Sequence, residues 1–189
     1  MLQIKNDISN KTYYKLIDYI TNRCDMFSFF YPHYNKIIVT SKNSEIYPEY
    51  EIGFESISQG ENEYIQNVSN LQWRTDYIRK KIIKSYEDVE YVGSTCGCAC
   101  QITIAQLDES IGGFFKSTGG LYDWRFPDMP EDLCFFSKGN CWLRSIAHEK
   151  LCFIFTDDDY EKKVLKKMGL KFYEIPDDSI PTMHYTLIY

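Results

Sequence analysis

Long apolar runs are missing from this 189-residue sequence, and so is any excess of basic charge. Residues 1–20 set Lys5, Asp7, Lys11, Lys15 and Asp18 among their apolar positions, which leaves neither the apolar stretch of a signal peptide nor an uninterrupted bilayer span. A cytoplasmic location without membrane attachment is the expectation. With 27 acidic against 21 basic residues the formal net charge is −6, which argues against nucleic acid or an anionic membrane as partner and favours a basic protein. Repeats, low-complexity tracts and linkers are absent too, so residues 1–189 read as a single domain with one substantial core. Phosphate-binding patterns are also lacking: neither Gly112-Gly113 nor Gly119-Gly120 is followed by the Lys-Ser/Thr that such a loop needs. Both pairs read as turns.

What is abundant is cysteine and aromatic rings. Seven cysteines, an odd count without a secretory signal, read as reduced thiols. Sixteen tyrosines and twelve phenylalanines suit a surface rich in contacts, although the accompanying Lys, Asn and Ile are residues of AT-rich codons and account for part of the excess. That codon bias points to a low-GC bacterium or one of its phages.

The periodicities give an α+β chain. Tyr13, Leu16, Ile17, Ile20 and Cys24 share one helical face behind Asn10 as N-cap, which predicts a helix near residues 11–24. Strands are expected at 36–40, 47–57 and 98–106, a helix at 71–86 from the four-residue spacing of Ile78, Ile82 and Tyr86, and a short helix within 107–116. Residues 133–136, 141–147 and 151–155 read as a three-stranded meander turned at Lys138-Gly139-Asn140, with the last strand covered on both faces. Thr156 or Asp157 then caps a helix ending at Gly169, and strands follow at 170–175 and 183–189. The expected fold is a mainly antiparallel sheet packed by about three helices.

Chemistry is sparse. Cys96, Cys98 and Cys100 are separated by single residues, unlike the two-to-four-residue gaps of structural zinc sites. On a strand that spacing continues into Ile102 and Ile104 on one face, so the thiols read as core, and no metal or cofactor is expected. A thiol nucleophile would need a base, and His148 beside Glu149 is the best of His33, His148 and His184. Cys98 or Cys100 with His148, as a small thiol-dependent hydrolase or transferase, is therefore the enzymatic alternative. Asp157-Asp158-Asp159 reads as helix capping, and Arg79, Lys80, Lys81 and Lys84 as a solvated face.

The richest segment is 121–136, where aromatics, Arg125, Pro127, Pro130 and four carboxylates lead into the meander. Tyr122, Asp123, Trp124, Arg125, Phe126, Asp128, Glu131 and Asp132 are the candidate partner-binding residues, since rings and arginine dominate binding hot spots and the carboxylates suit a basic partner. The same rings could instead anchor the loop to the sheet. The run from Leu121 through Phe136, with Lys138-Gly139-Asn140-Cys141-Trp142 and His148-Glu149, resembles small proteins of Gram-positive bacteria, some labelled stage III sporulation protein AH. That label implies a membrane-anchored channel component. In size, acidity and α+β patterning the chain is also similar to immunity proteins of bacterial toxin systems. The resulting expectation is an immunity or inhibitor protein that occludes the active site of a toxin or effector enzyme, with 45–63 as a further contact region. A phage anti-defence binding protein would look physically the same.

Overall fold

The computed structural model describes residues 1–32, 78–88, 100–125 and 128–176. Their elements are β1 (Leu2–Ile4), α1 (Asn10–Arg23), β2 (Met26–Pro32), β3 (Ile82–Asp88), β4 (Cys100–Gln106), α2 (Gly112–Phe115), β5 (Glu131–Ser137), β6 (Asn140–Ile146), β7 (Leu151–Ile154), α3 (Asp159–Met168) and β8 (Phe172–Glu174). All strand pairs are antiparallel, and one sheet runs β3-β4-β2-β5-β6-β7-β1-β8. The α+β class and the meander β5-β6-β7 agree with the sequence patterning. No helix among the described residues is long and apolar enough to cross a membrane.

Alternation and ring bulk explain the centre of the sheet. Phe27 and Phe29 on β2 and Leu133 and Phe135 on β5 belong to one core with Tyr13, Leu16, Ile17 and Ile20, the buried face of α1. Removing Leu16, Ile17 and Ile20 from water contributes about 1.5–3 kcal/mol each. The opposite face of the sheet is buried as well, with Met26, Cys134 and Phe136 packed on Cys141. At α1 the N-cap is Ser9 and not Asn10, which has a left-handed φ of +50° inside the first turn, a conformation Asn tolerates better than most residues. At α3 the cap is Asp158, whose side chain accepts from the Tyr160 N–H, one residue beyond the expected Asp157. Gly169 ends that helix at φ +105°, and a Cβ there would lie 3.1 Å from Thr12 Oγ1.

One expected element is overturned. In place of the second half of a helix over 71–86, residues 79–81 make a 3-10 turn and Ile82–Asp88 form strand β3, paired to β4; residues 71–77 lie outside the described set. A spacing of four satisfies both a helical face and a period of two, and β-branched Ile82 and Ile83 lean toward a strand once β4 offers a backbone partner. Two strands had no forecast. They are β1, three residues long, and the ring-rich β2. The strands expected at 36–40, 47–57 and 183–189, the 45–63 contact region, and Cys96 and Cys98 lie outside the described residues.

Candidate functional site

The loop between α2 and β5 is fastened from below. Leu121–Asp123 is a 3-10 turn, and its entry is stitched to the start of α1 by Leu121 N–H donating to Ile8 O (2.9 Å) and Asn10 N–H to Gly119 O (2.6 Å). A side chain at Gly120 would put Cβ 3.1 Å from Ile8 O, so any other residue there would press the two backbones apart by a few tenths of an ångström. Trp124 is fully buried. Its ring packs against Phe114 and Phe115 at 5.2 and 5.3 Å, and its Nε1–H donates to Tyr13 Oη at 2.8 Å. Tyr13 Oη donates in turn to Phe115 O at 2.8 Å, and burial raises the Tyr13 hydroxyl's pKa far above that of a free phenol. A polar chain thus runs through an apolar core with each of these donors satisfied. Farther along, Met129 and Pro130 are buried, with Met129 N–H donating to Arg125 O.

At the loop's end the sheet is irregular. Ser28 faces Cys134 and Phe30 faces Glu131, so two steps along β2 match three along β5. Asp132 lies within this bulge at φ +52°. On a regular strand adjacent side chains point to opposite faces, but the bulge turns Asp132 so that its carboxylate meets its neighbour's. One ligand atom each from Glu131, Asp132 and His148 lies within 4.8 Å of the other two. Asp132 is 2% exposed. Its Oδ1 accepts from the Ala147 N–H at 2.7 Å, which ties it to the β6–β7 turn carrying His148, while the buried Oδ2 has no hydrogen bond among the described residues. Burial pushes the Asp132 carboxyl up to about 6 against the pull of the Ala147 N–H; Glu131 adds to the rise, and His148 and Arg144 oppose it. The His148 ring lies 3.7 Å from Glu149 at the surface.

These positions divide the eight expected contact residues. Asp123, Arg125 and Asp128 are exposed, and Tyr122 and Glu131 are half-buried. Trp124 and Asp132 are buried, so neither contributes to a contact surface; anchoring, not contact, is the role of the tryptophan. Phe126 lies outside the described residues. Of the two thiols that the enzymatic alternative pairs with His148, Cys98 lies outside the described residues. β4, which holds Cys100, is separated from β6 by β2 and β5, or roughly 14 Å at ~4.8 Å per strand, well beyond hydrogen-bond reach of the turn bearing His148. Two of the buried thiols are inert by environment: burial pushes Cys24 up to about 12 and raises Cys152 further. What the sequence reading missed is the meeting of Glu131 and Asp132 with His148, signalled only by a Glu-Asp pair at a strand start. No family model matches the chain, and neither a curated protein nor a solved structure does.

Proposed function

We propose that the chain works by binding a protein partner and not by catalysis, as an immunity or inhibitor protein that covers the basic active site of a toxin or effector enzyme. One observation carries this reading: the loop is pinned by fully buried Trp124 while Asp123, Arg125 and Asp128 face outward. Charges flanking a buried, hydrogen-bonded ring lose little entropy on docking, and exposed charges on an acidic chain steer a basic partner toward them. Steric occlusion asks for no catalytic group from this side. A phage anti-defence protein would use the same surface.

The test begins with the genomic neighbourhood, where the absence of a toxin-like gene counts against the reading, and uses the product of any such gene found there. Asp123→Lys and Asp128→Lys should each weaken binding at least tenfold at low salt, chiefly through slower association, while the thermal midpoint moves by no more than about 2 °C. Wild-type affinity in both variants would remove the loop from the interface.

A further inference from the structure

We propose that Glu131, Asp132 and His148 form a binding site for a divalent transition-metal ion, of the class represented by zinc and manganese. The three side chains come from two neighbouring places, the bulged start of β5 and the turn after β6, and bring one ligand atom each to within 4.8 Å of the others. Around a metal with bonds of about 2.1 Å, tetrahedral ligand atoms sit roughly 3.4 Å apart, so only small side-chain rotations separate the observed cluster from a coordinating one.

The independent pointer is Asp132 Oδ2. This oxygen belongs to a side chain that is 2% exposed, and it has no hydrogen bond among the described residues. Buried carboxylate oxygens are ordinarily satisfied by a donor or a cation. The other oxygen of the same group is already taken by the Ala147 N–H, which fixes the carboxylate's orientation. That bond also holds the residue preceding His148, so the contact that orients one ligand positions the turn bearing the next. Charge agrees: the carboxylates of Glu131 and Asp132 meet at the cluster, and Glu149 lies 3.7 Å from the His148 ring.

Ligand chemistry selects the metal class. An imidazole nitrogen with two carboxylates suits zinc or manganese, whereas calcium and magnesium favour sets made wholly of oxygen. Three protein ligands leave a coordination position to solvent. The site rests on the bulge and the turn, and the partner surface rests on Asp123, Arg125 and Asp128, so either can fail without the other.

The experiment takes the full chain, stripped with a chelator and exchanged into chelator-free buffer at neutral pH, and titrates it calorimetrically with Zn2+, Mn2+, Mg2+ and Ca2+. One equivalent of Zn2+ or Mn2+ should bind, at least tenfold more tightly than Mg2+ or Ca2+, and raise the thermal midpoint. His148→Ala, which alters only a surface turn, and Asp132→Asn should each weaken that binding at least tenfold. Co2+ supplies a readout of ligand type: an oxygen-and-nitrogen site gives weak visible bands without thiolate charge transfer. Binding that survives both substitutions, a Co2+ spectrum dominated by thiolate bands, or no binding by the folded wild type would each overturn the assignment.

Discussion

Trp124 belongs to the residue types that favour binding hot spots, yet its indole is wholly inside the protein. Rings contribute the same apolar area to a core as to an interface, and an indole N–H needs a partner in either place, so residue type alone does not separate anchor from contact. The structure separates them through Tyr13, whose hydroxyl receives the indole N–H. Truncating the ring would leave a cavity against Phe114 and Phe115 and remove that donor. Trp124→Ala should therefore cost about 3–5 kcal/mol in urea unfolding. Trp124→Phe, which keeps most of the ring packing, should cost about 1–2 kcal/mol. An alanine variant within 1 kcal/mol of wild type would contradict the anchoring role. Asp132 illustrates a different limit on reading residues from sequence: the bulge that turns it toward Glu131 depends on the register between β2 and β5, which no local pattern encodes.

Among the elements, α3 was the most legible, because a carboxylate-rich start, apolar positions at helical spacing and a terminal glycine all agree. What the pattern hid is how this helix is fastened. Glu161 is 4% exposed, and its Oε1 accepts from Tyr19 Oη at 2.8 Å, Arg23 Nε at 3.0 Å and Trp142 Nε1 at 3.2 Å, joining α3 to α1 and β6. Burial alone would raise the Glu161 carboxyl, but hydrogen bonds from Thr156, Tyr19, Arg23 and Trp142 outweigh it and hold the group below the usual carboxylate range. A depressed folded-state pKa contributes stability that is present above the unfolded value, near 4.3, and is lost as pH falls through the folded value. Glu161→Gln should accordingly lower stability at pH 7 by about 2 kcal/mol and flatten the decline of the thermal midpoint below pH 4.5. A variant that tracks the wild-type acid profile at a constant offset would show that this carboxylate does not drive it. β3 was misread for a reason equally specific: Ile78, Ile82 and Tyr86 fit either period, and the deciding contact, pairing with β4, is tertiary.

At the scale of the whole molecule, local patterning reached the meander and stopped there. Strands β5, β6 and β7 follow one another along the chain, and short turns alone dictate their pairing. By contrast β1 lies between β7 and β8, and β2 between β4 and β5, pairings that close long loops and leave no mark on either segment by itself. Such long-range closure makes the sheet a candidate for one cooperative unit, and the cysteines offer a way to ask. Cys24 follows α1, Cys134 lies on β5 and Cys152 on β7, and all three are buried free thiols. Thiolate formation is suppressed at Cys24 and Cys152 by burial, so alkylation in the native state requires opening of the structure. In iodoacetamide labelling across a urea series, read at each cysteine by mass spectrometry, the three should become reactive over a single transition with one midpoint. Earlier exposure of Cys152 than of Cys24 and Cys134 would instead mean that the half of the sheet closed by β1 and β8 opens on its own.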